Sequence, residues 1–70
     1  MSKETISNCV CKLRSTAKVT QVELAEVVGV TRQTIIAIEK GHYVPSVLLA
    51  LKLAKFFKRP VEDVFHISHE

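Results

Sequence analysis

Apolar residues recur at helical spacing from near the start of the chain. A first amphipathic helix is predicted from about Thr5 to Thr16, because apolar side chains three and four residues apart share one face of a helix. These apolar positions are Ile6, Val10, Leu13 and Ala17. Residues 1–5 carry no pattern and are predicted to be frayed.

A second helix is predicted to begin at Gln21. Thr20 and Glu23 have the spacing of a capping box, in which the threonine hydroxyl accepts from the Glu23 amide and the carboxylate reaches back. Gly29 stands where a chain leaving a helix often needs a left-handed residue, so the helix is predicted to end there. Its apolar face consists of Leu24, Ala25, Val27 and Val28.

A third helix is predicted from Arg32 to about Lys40, with Thr31 as its N-cap. Ile35 and Ile38 fall on its inner side when successive residues are placed about 100° apart. The outer side carries Arg32, Gln33, Ile36 and Ala37. Two short helices joined by a glycine turn form the helix-turn-helix arrangement, whose second helix enters a DNA major groove.

Two prolines divide the remaining chain. Pro45 interrupts helix formation, and Ser46 is a good N-cap for a fourth helix from Val47 to about Phe57. Pro60 suits the first turn of a short fifth helix. The predicted inner face of the fourth helix is Val47, Ala50, Leu51, Ala54 and Phe57, and Leu49 and Leu53 extend this face around one side. Residues 66–70 are too few to assign and could be a single extended strand or disorder.

The composition indicates one folded domain. The 70 residues are 47% hydrophobic and contain only two Gly and two Pro, which excludes a disordered protein. The net charge of +3 permits nucleic-acid binding without identifying it. A polar N-terminus and the lack of an apolar run near the roughly 20 residues of a membrane span predict a cytoplasmic protein without a membrane partner.

Cysteine and histidine provide the only candidate metal ligands. Cys9 and Cys11 diverge by about 200° on a helix, so they cannot bridge to each other or converge on one ion. His66 and His69 fall in the unassigned tail. We therefore expect no metal and no cofactor. The sequence contains no catalytic Ser-His-Asp or paired-carboxylate arrangement, so we expect no enzyme activity.

Four segments in order resemble the Cro and phage-repressor-like (XRE) helix-turn-helix family. They are TQVELA from Thr20, GVTRQTI from Gly29, IEKG from Ile38, and Pro45-Ser46, and the resemblance extends over roughly residues 6–66. It implies an all-α, compact five-helix domain of the lambda-repressor type, with the helix-turn-helix at helices 2 and 3. The chain would then be a single domain with a short flexible N-terminus and C-terminal tail.

The resemblance also implies the DNA-contacting residues. The base-contacting positions are Arg32, Gln33, Ile36 and Ala37. The phosphate-contacting positions are Gln21, Thr31, Thr34, Lys40, His42, Tyr43 and Ser46. Arg14 and Glu39 match an ion pair that ties the first helix to the third. Ile36 departs from the family, because relatives more often have a polar residue there, and an isoleucine suits a thymine methyl group.

Two functions remain open at this stage. The first is a DNA-binding transcriptional regulator, expected to be a repressor that binds double-stranded DNA as a homodimer. The candidate dimer residues are Leu48, Phe56, Val64, Phe65 and Ile67. The second is a protein-interaction module of the same fold, an antitoxin-like or coactivator protein with an unidentified protein partner.

Overall fold

The chain folds into five helices and a two-stranded sheet. A computed structural model describes residues 4–69. In order these form β1 (Glu4–Asn8), α1 (Val10–Thr16), α2 (Gln21–Val28), α3 (Arg32–Glu39), α4 (Val47–Phe57), α5 (Val61–Val64) and β2 (Phe65–His69). The five predicted helices are present, but the prediction of an all-α fold is wrong. Within residues 4–69, none of the helices has the length and apolar content that crossing a bilayer would require.

The sheet joins the two ends of the described chain. Strands β1 and β2 are antiparallel, with Glu4 opposite His69 and Asn8 opposite Phe65. The first helix therefore does not begin near Thr5 as predicted, because residues 4–8 pair with a strand some 60 residues away. Of the two possibilities for the tail, the extended strand is the one that forms. The predicted fraying of residues 1–5 is wrong for Glu4 and Thr5, because both are paired in the sheet. Residues 1–3 lie outside the described residues.

Asn8 lies at the junction between β1 and α1 and ends the strand. Its side-chain oxygen accepts from the amide of Val10 at 3.1 Å, a local turn that competes with strand pairing. Its side-chain nitrogen donates to the carbonyl of Ile38 at 2.8 Å. The amide of Cys9 also donates to the carbonyl of Val64 at 2.9 Å. The start of α1 is thereby fixed to both α3 and α5.

All five helices contribute residues to one core. The ten buried apolar residues are Val10, Leu24, Ala25, Val28, Ile35, Ile38, Leu49, Leu53, Ala54 and Val64. The predicted inward positions Ile35 and Ile38 are both fully buried. Val27 was predicted on the inner face of α2, but 61% of its surface is exposed.

The buried face of α4 is rotated from the predicted one. Leu49 and Leu53 point inward, whereas Val47 and Leu51 are 75% and 52% exposed. Because α4 is apolar nearly all round, several stripes of similar hydrophobicity fit its sequence, and only the neighbouring helices select one. Val64, a predicted dimer residue, is fully buried in the chain's own core and has no surface to offer a partner.

Candidate nucleic-acid interface

The helix-turn-helix unit is held by the predicted caps. The amide of Glu23 donates to Thr20 Oγ1 at 3.0 Å, and the amide of Thr20 donates to Glu23 Oε1 at 2.9 Å. These hydrogen bonds, the backbone one first, lower the pKa of Glu23. Gly29 ends α2 with φ of 78°, a left-handed conformation that a glycine adopts without strain. The capping box and the glycine turn are confirmed.

Helix α3 is anchored on one side and presented on the other. The Thr34 amide donates to Thr31 Oγ1 at 3.3 Å, so the Thr31 side chain caps the helix as predicted. Ile35 and Ile38 fix the helix to the core from below. Arg32 and Gln33 are exposed on its first turn, while Ile36 and Ala37 are half-buried beyond them. Of the four predicted base-contacting residues, two therefore have exposed side chains and two have side chains that are only partly accessible.

One shallow cleft lies between the start of α2 and the start of α3. It has a volume of about 370 Å³ and will be called the α2 cleft; its lining residues are Arg14, Thr20, Gln21, Val22 and Arg32. Gln21, a predicted phosphate contact, and Arg32, a predicted base contact, thus border the same space. The side-chain nitrogen of Gln21 also donates to Glu39 Oε1 at 3.0 Å, which fixes the orientation of the carboxamide.

The predicted ion pair between Arg14 and Glu39 is confirmed. Nε of Arg14 lies 2.7 Å from Oε2 of Glu39, and its Nη2 donates to Oε1 at 3.4 Å. Nη1 donates to the carbonyl of Val19 at 3.0 Å. The hydrogen bond to Glu39 raises the pKa of Arg14 above its ordinary value. The guanidinium therefore stays charged and joins α1, the linker after it, and the end of α3.

A second cleft lies on the opposite side of α3, against the start of α4. It has a volume of about 280 Å³ and will be called the α4 cleft. Its polar lining residues are Thr34, Tyr43, Ser46 and Lys52. Ser46 caps α4 by accepting from the amide of Leu49 at 3.2 Å. Three predicted phosphate contacts therefore converge where the free amides of a helix N-terminus favour an anion.

Lys52 was not among the predicted site residues. It lines the α4 cleft and adds a positive charge there. It follows Leu48 by four residues and Leu49 by three, so it lies on the same side of α4 as these two lining residues. Lys40 and His42 are exposed on the segment after α3 and line neither cleft.

The cysteine and histidine candidates lie at the sheet, away from both clefts. Cys9 Sγ is 3.6 Å from His66 Nε2, and His66 Nδ1 is 3.4 Å from the carbonyl oxygen of Ser7. Cys11 is exposed on α1. Among residues 4–69, no three His, Cys, Asp or Glu side chains come together as ligands for one ion.

Comparison with known proteins gives a consistent assignment. The profile of a family described as Helix-turn-helix matches residues 12–64. YgzD of Bacillus subtilis (strain 168), an uncharacterized HTH-type transcriptional regulator, is 54% identical over 65 residues, covering 93% of this chain and 98% of its own. An uncharacterized HTH-type transcriptional regulator of Methanocaldococcus jannaschii is 58% identical over 52 residues, covering 74% and 79% respectively.

A solved structure has the same fold. The transcriptional regulator VanUg superimposes with a TM-score of 0.75 over 96% of this chain and 89% of its own, at 24% sequence identity. The family match extends from α1 to the end of α5 and contains both clefts and all of α3. The chain belongs to the Cro and phage-repressor-like (XRE) family of helix-turn-helix, DNA-binding transcriptional regulators.

Proposed function

We propose that this protein represses transcription by binding a specific DNA sequence as a homodimer, with one α3 helix in each of two successive major grooves. The observation that carries the proposal is the position of Arg32 and Gln33. Both are exposed on the first turn of a helix whose opposite face is locked by two fully buried isoleucines. A helix that contacts the edges of DNA bases needs exposed polar side chains on one face and a firmly packed opposite face.

The side chains of α3 have the chemistry for base recognition. Arg32 can donate two hydrogen bonds to O6 and N7 of guanine, and Gln33 can pair with N6 and N7 of adenine. Each such contact discriminates against a wrong base by about 1 to 3 kcal/mol. Ile36 and Ala37 are half-buried and further along the helix, where they offer apolar contacts to a thymine methyl group.

The two clefts beside α3 supply backbone contacts. Gln21 lies on the α2 cleft, while Thr34, Tyr43 and Ser46 lie on the α4 cleft. The backbone phosphates on the two sides of the major groove would be bound by hydroxyl, amide and helix N-terminal groups. Contacts of this kind position a protein on DNA without reading its sequence. Lys40 and His42, both exposed, would contact the same backbones further out, and Thr31 would contribute beside its own cap.

Dimerisation would supply a second reading helix. One short helix contacts few base pairs, and two copies related by a twofold axis would read half-sites about 34 Å apart. A dimer bound in two successive major grooves would exclude polymerase from any promoter that overlaps its site, which is the proposed mode of repression. Control of occupancy would then come from protein concentration or from a partner.

Selection of bound duplexes from a random pool tests this proposal. We expect enrichment of a pseudo-palindromic site and an affinity that falls steeply with salt, because phosphate contacts release counterions. Arg32→Ala should weaken binding to the selected site by about 1 to 3 kcal/mol and relax preference at one base position. Arg59→Ala is the matched control, because Arg59 is equally charged and exposed but lies in the turn before α5.

A second function has one observation in its favour. Val44, Val47 and Leu51 are all more than half exposed, and apolar side chains of this size favour a protein partner. In that alternative the fold serves as an antitoxin-like or coactivator module. The random-duplex selection separates the two functions, since a pure protein-binding module enriches no sequence even at low salt.

A further inference from the structure

Two isoleucines of the sheet form the first part of an exposed apolar surface. Ile6 of β1 lies directly opposite Ile67 of β2. Their surfaces are 37% and 63% exposed. Both isoleucines line a cleft with a volume of about 530 Å³. Gly41 and Val44, which is 64% exposed, line it as well. Its polar lining residues are Glu4 and Thr5. The sheet therefore has an open, mainly apolar cleft between itself and the segment after α3.

Two further exposed apolar side chains lie on α4, which begins shortly after Val44. Val47 follows Val44 by three residues and is 75% exposed, and Leu51 lies one helical turn further at 52%. Leu48 and Lys52 point to the other flank of α4, where they line the α4 cleft. Val47 and Leu51 thus form an apolar ridge on the flank away from the proposed DNA contacts.

From this arrangement we propose that a second copy of this chain docks here, on a surface that we call the sheet-side patch. The patch consists of Ile6, Val44, Val47, Leu51 and Ile67. The inference rests on the homodimer of the proposed function and names its interface. It replaces most of the dimer residues expected from the sequence, since of those only Ile67 belongs to the patch, Leu48 lies on the α4 cleft, and Phe56 and Phe65 are half-buried.

The size and shape of the patch favour a second copy as its occupant. Five side chains with this exposure amount to several hundred Å², a large part of the roughly 800 Å² that each partner buries in a standard interface. A twofold axis brings the same patch of both chains together, so the ridge of one copy can enter the cleft of the other. A cleft beside a ridge is the self-complementary shape that such an interface requires.

The location of the patch also agrees with DNA binding by both copies. Gly41, just beyond the end of α3, lines the cleft, so a twofold axis here lies near the C-terminal ends of both α3 helices. The Arg32 ends then point away from the axis. The chain measures 39 × 23 × 21 Å, a size at which two touching copies can place their α3 helices at the half-site spacing of about 34 Å.

Sedimentation velocity over a range of concentrations tests the patch. The substitution Val47→Glu places a carboxylate in the first turn of α4, where a negative charge stabilises the helix. A dimer formed through the proposed interface would then bury two carboxylates, one from each copy. We expect Val47→Glu to raise the dimer dissociation constant at least about tenfold, and Ile67→Glu, on the sheet, to do the same. The control is Val27→Glu, because Val27 is 61% exposed but lies on α2, and it should dimerise like the wild type.

Three outcomes would overturn the patch: wild-type dimers that survive both substitutions, a wild type that stays monomeric on its selected duplex, or a wild type that assembles only with a different protein. Binding to a single half-site duplex is measured in parallel. Folded variants that are monomeric but retain half-site binding confirm the patch. If the wild type binds no duplex at all, the DNA-binding proposal fails, while its sedimentation still decides the interface.

Discussion

Nε of Arg14 lies 2.7 Å from Oε2 of Glu39, in an ion pair that connects α1 to the last residue of α3. The two side chains are only 17% and 8% exposed. The other oxygen of Glu39 accepts from Gln21 at 3.0 Å. A single carboxylate therefore links α1, α2 and α3, and it holds Arg14 and Gln21 where they line the α2 cleft.

Removing one partner of this pair should destabilise the fold. Arg14→Met keeps the length of the side chain but leaves the Glu39 carboxylate with only Gln21, and we expect a loss of about 2 to 4 kcal/mol in the free energy of unfolding. Replacing both residues, as Arg14→Met with Glu39→Met, should cost less than the sum of the single changes. Urea unfolding measures all three, with Glu26→Gln on the exposed side of α2 as control. Additive costs would show that the pair contributes no coupling.

Short-range signals account for the parts of the fold that the sequence predicted. Thr20, Thr31 and Ser46 each cap a helix through a bond to a residue three positions on, so the information lies within one turn. Gly29 likewise ends α2 through its own backbone conformation. The same signals predicted that Arg32 and Gln33 lie on the first turn of α3, whereas the DNA-contacting roles of the site residues came from the family resemblance.

The predictions from the sequence were wrong where contacts between distant parts of the chain determine the structure. Ile6 and Val10 have helical spacing, yet Ile6 pairs with Ile67, and no local pattern reveals a partner so far along the chain. The exposure of Val47 was missed for a related reason, since the packing of α2 and α5, and not the sequence of α4, selects its buried face. Lys52 was missed as a site residue because its side of α4 was unknown.

Lys52 should contribute to DNA affinity without contributing to specificity. We expect Lys52→Ala to weaken binding to selected and random duplexes by the same factor and to reduce the slope of log affinity against log salt by about 1. Lys55→Ala is the matched control, since Lys55 is an exposed lysine of the same helix that does not line the α4 cleft. Fluorescence anisotropy at several salt concentrations measures both. Equal slopes for the two variants would remove Lys52 from the interface.

Acid should weaken the start of α2 through Glu23. Its pKa is lowered in the folded state from an ordinary value of 4.5 by the hydrogen bonds of the capping box. A lowered pKa means that the stabilisation is complete above the unfolded pKa and is lost as the pH falls below about 4.5 and through the folded pKa. Glu23→Gln should therefore differ from the wild type in unfolding free energy at pH 7 and approach it near pH 2.5, as measured by urea unfolding across that range. A constant difference at every pH would contradict this.

Lys58 carries a backbone cost that a glycine would relieve. It ends α4 with φ of 57° and ψ of 45°, in the left-handed region that costs a residue with a Cβ atom about 1 to 2 kcal/mol. Lys58→Gly should raise the free energy of unfolding by about 0.5 to 1 kcal/mol, because part of the gain is offset by greater freedom of the unfolded chain. Lys58→Ala keeps the Cβ atom and should give no such gain. Thermal unfolding of both variants decides, and equal stabilities would show that the left-handed conformation has no cost here.

Ile36 should read a thymine through its methyl group. It is half-buried on the outer side of α3, one helical turn after Gln33. Replacing each thymine of the selected site in turn by deoxyuridine removes one methyl group, and we expect one position to lose about 0.8 kcal/mol of binding free energy.

In Ile36→Ala that same replacement should have almost no effect, because the partner of the methyl group is already gone. Val27→Ala is the control, since Val27 is 61% exposed on α2 and lines neither the α2 cleft nor the α4 cleft, so its loss should leave the deoxyuridine penalty intact. A penalty of equal size in Ile36→Ala and in the wild type would assign the thymine to another residue. In that case the apolar side chain of Ile36 serves the packing of α3 and does not read the DNA sequence.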